Sequence, residues 1–239
     1  MAYRNGPKIT TDGLVLCLDA AISKSYPGSG TTWTDVSTSK TNIALSANST
    51  YTIAKGGGIA FDGASDYGYK TGLNYTPYCI DVWFHNNIDI TKYNKPGGGY
   101  EQILGFGGGG GGISCRGWTS GMTDETIAFW TPSYTTTGAT YIKDNVYIGD
   151  HSLIFNWNGS TYDIWLDGMK RTTYPFIVGG TTPIDAALVS MNSMYLARDS
   201  HSYNYYFNGI IYRLAVYDNQ LTDSQVLQNF NATRGRFGV

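Results

Sequence analysis

Short runs in which apolar and polar residues alternate, cut by glycines and Asx-Gly pairs, recur along almost all of the 239-residue chain. A period of two sends successive side chains to opposite faces of a strand, so the pattern predicts many short strands. Leu14, Leu16 and Leu18 alternate with Val15 and Cys17, and residues 12–20 read as a strand apolar on both faces, in the middle of a sandwich. Residues 56–63 form a brief strand between glycine punctuation. In residues 78–85, Tyr78, Ile80, Val82 and Phe84 share one face and Cys79, Asp81, Trp83 and His85 the other, the mark of a second core strand. Leu153, Phe155 and Trp157 alternate up to Asn158-Gly159, and Tyr162, Ile164 and Leu166 up to Asp167-Gly168. Such pairs suit type I′ turns, which need positive φ at both centres, and residues 151–174 therefore read as a three-strand meander. Further strands are expected at residues 193–198 and 207–217, the latter with Ile210, Tyr212, Leu214 and Val216 on one face. The whole pattern amounts to about a dozen strands.

One helix breaks the alternation. Thr222 with Gln225 three residues on makes a capping box, and Val226, Leu227 and Phe230 follow at helical spacing. A short closing helix and tail over residues 222–234 is the result. Two stretches carry little pattern. Residues 92–117, which include the glycine-rich segment 97–112, read as a long loop or as a place where backbones pack closely. Residues 34–50 are polar and read as a surface excursion. With no internal repeat and no change of composition along the chain, residues 1–239 read as a single domain with an N-terminal arm at 1–11.

Composition agrees with an all-β chain: 31 glycines for tight turns and 20 tyrosines for pleated, half-buried surfaces. A net charge of -2 supplies no field for phosphate or anionic lipid, so neither nucleic acid nor membrane is an expected partner. Cys17, Cys79 and Cys115 are far apart and odd in number, and read as buried free thiols rather than a disulfide framework or a zinc site. The start MAYRNGPKITTDG lacks an apolar signal region, so synthesis in a cytoplasm is expected. On that route the four Asn-x-Ser/Thr matches at Asn48, Asn74, Asn158 and Asn231 are chance.

The Phe61-Asp62-Gly63 strand end, the stretch YDIWLDGM at residues 162–169 and FNGIIYRLAVYDNQLTDSQVLQNF at residues 207–230 resemble, in order and spacing, the laminin-G-like, concanavalin A-like lectin/glucanase superfamily. That resemblance implies a jelly-roll sandwich of two antiparallel sheets with a short C-terminal helix. Residues 6–33 and 227–238 are similar to stand-alone copies of this domain found as virion components of tailed bacteriophages. The resemblance implies a virion-surface protein made in the host cytoplasm, a homo-oligomer beside other virion proteins such as the major capsid protein. The same resemblance implies that it decorates the capsid or another virion surface and contacts host surface polysaccharide. The alternative is a carbohydrate-binding receptor module of a tail or head fibre.

Catalysis finds no support in the residues. Glucanases of the superfamily carry a Glu-x-Asp-x-(x)-Glu strand, and retaining glycosidases need their two carboxyl groups about 5 Å apart. The only glutamates here, Glu101 and Glu125, are not so spaced, and His85, His151 and His201 are isolated in sequence. The glycine run at 107–112 lacks the Lys-Ser/Thr ending of a phosphate loop. No cofactor is therefore expected. Calcium is the exception to consider: some superfamily members bind it at the rim, and Asp62 and Asp66 are candidate oxygen ligands, with turn capping as the competing role. For binding, the candidates are Tyr203, Tyr205 and Tyr206, in a cluster with Phe207 too dense to face one core, because aromatic planes stack on sugar rings and anchor interfaces; packing against the neighbouring sheet is the competing role.

Overall fold

The structure, a computed structural model, describes residues 8–87, 101–107, 111–116, 126–130, 138–143, 148–160, 162–177, 191–199 and 205–239. Its strands are β1 (Leu14–Asp19), β2 (Thr32–Trp33), β3 (Ile43–Leu45), β4 (Thr50–Thr52), β5 (Gly58–Asp62) and β6 (Gly68–Tyr75). There follow β7 (Cys79–Asn86), β8 (Glu101–Phe106), β9 (Gly111–Arg116), β10 (Thr126–Trp130), β11 (Gly138–Lys143) and β12 (Gly149–Trp157). The series ends with β13 (Tyr162–Leu166), β14 (Met169–Arg171), β15 (Tyr174–Ile177), β16 (Met191–Leu196), β17 (Asn208–Tyr217) and the helix α1 (Asp223–Phe237).

These strands form two antiparallel sheets. One runs β14-β13-β12-β7-β17-β5-β4, with β1 also paired to β17; the other runs β15-β11-β10-β9-β8-β16-β6-β3-β2. Their inner faces meet in a core that includes Ile80, Val82, Phe84, Leu153, Phe155, Leu214 and Val216 from the first sheet and Ile43, Leu104, Ile113, Met194 and Leu196 from the second. Burying each such side chain contributes about 1.5–3 kcal/mol. The protein is a jelly-roll β-sandwich closed by one C-terminal helix. Among the described residues no helix is long and apolar enough to cross a membrane.

The first sheet also buries its outer face, because α1 lies on it. Phe230 and Phe237 stack on Trp83 at 5.7 and 4.2 Å between ring centroids, and Val226 packs with Cys79, Ile154, Trp165 and Tyr217. Arg213 and Asp81 form a buried ion pair at 2.8 Å beneath the helix. Burial alone would lower the Arg213 pKa, but the Asp81 carboxylate holds it above the ordinary arginine value. Asn229 completes the seam, bonding the Tyr217 hydroxyl at 2.9 Å and accepting from the backbone of Thr10 at 2.9 Å. The capping box at Thr222 and Gln225 forms as its spacing predicts. The helix nevertheless runs past residue 234 to Phe237, because Phe237 gains the face of Trp83 and the left-handed cap falls at Gly238 (φ 80°).

Other expectations are corrected. In β17 the register shifts between Ile211 and Arg213, leaving Tyr212 as an extra residue opposite Trp83. This bulge reverses the alternation: Ile210 and Tyr212 lie under α1, whereas Leu214 and Val216 enter the core. The meander is present as β12, β13 and β14, with Asp167 (φ 51°) and Gly168 (φ 76°) making the two-residue turn. The turn at Asn158-Gly159 is longer, since the last pair is Trp157 with Tyr162, and Asn158 instead accepts from the backbone of Ser160. β1 sits at an edge of its sheet. Its free side is covered by residues 35–37: Cys17 donates to the Asp35 carboxylate at 2.8 Å and Val36 to the Cys17 carbonyl at 2.9 Å. Residues 34–50 are thus no mere excursion, for Asp35 is buried and Ile43 and Leu45 join the core. Cys17 and Cys79 are buried free thiols, and burial pushes Cys17 up to about 11; the Cys115 side chain lies outside the described residues.

In the glycine-rich stretch the close packing of backbones is the reading that the described residues support. Its described parts are paired strands, β8 and β9, and a Cβ on Gly112 would stand 2.1 Å from the Leu104 carbonyl oxygen, so close backbone approach explains the glycine.

Candidate functional site

The outer face of the second sheet is not covered by α1. Gly68 faces the core, where an added Cβ would meet Ile43, Leu45 and Leu196, and alternation therefore sends Tyr67 and Tyr69 outward. Register pairs Thr32 with Ala44, Ala44 with Tyr69, Tyr69 with Tyr195, Tyr195 with Gly105 and Gly105 with Gly112, a continuous row across the sheet. The same register brings Trp130 opposite Gly112. Adjacent strands lie about 4.8 Å apart, so the row from Tyr69 to Trp130 spans roughly 19 Å. Across its glycines lies the amide of Gln102, donating to the Leu104 carbonyl at 3.1 Å.

Arg198 stands at one end of this row. Its guanidinium lies over three rings, 4.9 Å from the centroid of Tyr67, 5.6 Å from Tyr206 and 5.9 Å from Tyr195. The backbone aims it there. Ala197 is buried and left-handed (φ 58°), with its N–H donating to Ile103 at 2.8 Å and its carbonyl accepting from Phe207 at 3.0 Å. A non-glycine residue in that region costs about 1–3 kcal/mol and persists only where its surroundings impose it. The turn it makes lets β16 end in the core at Leu196 and present Arg198 two residues later on the outer face.

Of the sequence candidates, Tyr206 belongs to this cluster and pairs through its backbone with Gln102. Tyr205 is half-buried beside it, Phe207 is fully buried against Phe84, and Tyr203 lies outside the described residues. Tyr67, Tyr195 and Arg198 were missed, because they are distant in sequence and only strand register unites them.

Asp62 and Asp66 do not fit a calcium ion. Asp62 Oδ1 accepts the backbone N–H groups of Ala64, Ser65 and Asp66 at 2.8 to 3.0 Å, and Oδ2 accepts the Ser65 hydroxyl. Burial pulls this carboxyl up, yet those bonds outweigh it and hold it at about 2. Asp66 is buried toward Ser46, and burial with the neighbouring Asp62 charge raises its pKa. Among the described residues no group of three or more His, Cys, Asp or Glu is placed to hold a metal.

Two histidines read as isolated have carboxylate partners. His85 Nδ1 lies 2.7 Å from Asp150, which also meets the Tyr212 hydroxyl at 2.8 Å and the Lys55 ammonium at 3.2 Å. Burial acts to raise the Asp150 pKa, but these three partners bring it below its ordinary value. Lys55 also donates to the carbonyl of Phe237, and Arg236 bonds Asp19 and the carbonyls of Lys55 and Gly57. The cluster therefore clamps the end of α1, and its one hydroxyl donates to the carboxylate instead of facing the imidazole. His151 lies 2.9 Å from Asp167 in the hairpin turn. Glu101 is buried in β8, and Glu125 and His201 lie outside the described residues.

No protein-family profile and no curated protein sequence matches the chain. Solved structures do match. Domain 4 of AbnA, an extracellular GH43 arabinanase from Geobacillus stearothermophilus solved with arabinotriose, superposes with a TM-score of 0.62 at 14% identity, covering 93% of this chain and 100% of that domain. The botulinum neurotoxin serotype D binding domain gives 0.63 at 9% identity, over 92% of this chain and 52% of the other. Trypanosoma rangeli sialidase in complex with sialic acid gives 0.58 at 14% identity, over 95% of this chain and 34% of the enzyme. The likeness is one of fold. It agrees with the jelly-roll β-sandwich.

Proposed function

We propose that this chain is a non-catalytic glycan-binding surface module whose binding surface is the tyrosine platform on the outer face of the second sheet. The observation that carries this reading is the convergence of Tyr67, Tyr195 and Tyr206 around Arg198, with Tyr69 alongside and 44% exposed. A tyrosine face is electron-rich and rigid, matches the C–H face of a sugar ring, and loses little entropy on contact. The buried Gln102 amide adds a polar group to the same row, the mixture of flat apolar and fixed polar groups that ligand sites use. The arabinanase domain was solved with arabinotriose and the sialidase with sialic acid, which supports the same use of this fold.

The finer placement rests on the resemblance of residues 6–33 and 227–238 to phage virion components. On that basis the module belongs to a virion surface, assembled in the host cytoplasm beside the major capsid protein or further copies of itself, and it presents the platform to host polysaccharide. Its absence from purified particles by mass spectrometry overturns that placement. The glycan reading is tested with a glycan array followed by titration calorimetry. The intact chain is expected to bind at least one class of oligosaccharide, and Tyr195→Ala and Tyr206→Ala to weaken it about tenfold or more without loss of folding, the scale of a lost aromatic anchor. Equal binding by the variants contradicts it.

A further inference from the structure

We infer that Arg198 makes this surface selective for glycans that carry a carboxylate, such as uronic or sialic acids; the inference rests on the glycan-binding reading above. Among the described residues Arg198 has no ion-pair partner and no hydrogen bond, and its guanidinium is held by tyrosine rings alone. The other arginines on which the fold leans are neutralised: Arg213 by Asp81 and Arg236 by Asp19. The adjacent carboxylate, Asp199, is buried at 2% exposure and does not pair with Arg198. Three rings surround the guanidinium at 4.9 to 5.9 Å without consuming its N–H donors, of which Nε is buried. A planar fork so held suits bidentate contact with a carboxylate through its terminal nitrogens, while the exposed Tyr69 lies alongside for the ring that bears it. The left-handed Ala197 that sets this orientation is a backbone cost met at this turn and at few other places: Lys40, Lys55 and Asp167 are the other described non-glycine residues with positive φ.

The test prints uronic- and sialic-acid oligosaccharides beside their carboxyl-reduced forms and measures the affinity ratio within each pair, for the full chain and for Arg198→Gln and Arg198→Lys, with thermal melts to confirm folding. The intact chain is expected to favour the acidic form by about ten- to a hundredfold, the range of a charge-assisted hydrogen-bond pair. Arg198→Gln is expected to bring the ratio to about one, and Arg198→Lys to retain part of it. Binding of both forms with a ratio near one in the intact chain overturns this inference while leaving the glycan reading in place. So does a ratio that Arg198→Gln leaves unchanged. Failure to bind either form overturns this inference, and the glycan reading falls with it only when the full array also shows no binding.

Discussion

Ala197 gives no sign in the sequence of what it does, yet its left-handed backbone directs Arg198 onto the tyrosines. Asp35 is similar: one carboxylate inside a polar stretch seals the edge of β1 by accepting from Cys17, Ser37 and Thr41. Asp62 is the contrasting case. Its turn is local, so the capping role was legible from Asp62-Gly63 and the small polar residues that follow. Its pKa near 2 lies below the ordinary 3.8, so between about pH 4 and pH 2 the unfolded chain binds the extra proton. The stability Asp62 contributes is therefore complete above about pH 4 and is lost as the pH falls toward 2. Asp62→Asn keeps an acceptor oxygen but does not titrate. Thermal melts should show wild type above the variant at pH 5 and the gap closing at pH 2; a gap equal at both pH values contradicts the assignment.

Elements follow the same division between local and distant causes. The capping box of α1 and the Asp167-Gly168 turn depend on neighbours within three residues, and both could be read directly. The bulge at Tyr212 could not, because it answers to Trp83 on β7 and to the helix above them. Nor could the pairing of β8 with β9, since glycines carry no alternation even where their lack of a side chain is what permits the strands to approach. The last turn of α1 is held chiefly by Phe237 on Trp83 and Tyr212. Phe237→Ala should cost about 3 kcal/mol in chemical denaturation and move Trp83 fluorescence to longer wavelength, as water reaches the sheet. A loss below about 1 kcal/mol would show that the clamp of Lys55, Asp150 and Arg236 holds the helix without it.

For the whole molecule, the sandwich was legible because strand alternation repeats along most of the chain, and the tyrosine platform was not, because it joins β6, β16 and the approach to β17. One sheet has its outer face sealed by a helix, a buried ion pair and stacked rings; the other presents Tyr69 and its neighbours. In the proposed function, stability falls to one outer face and recognition to the other. The most direct test is an NMR titration of the isotopically labelled chain with its best-bound oligosaccharide. Saturable shifts should concentrate at Tyr67, Tyr69, Tyr195, Arg198 and Tyr206. Shifts confined to the Asp62–Asp66 rim or to α1, or no saturable shift with any glycan, would contradict the account.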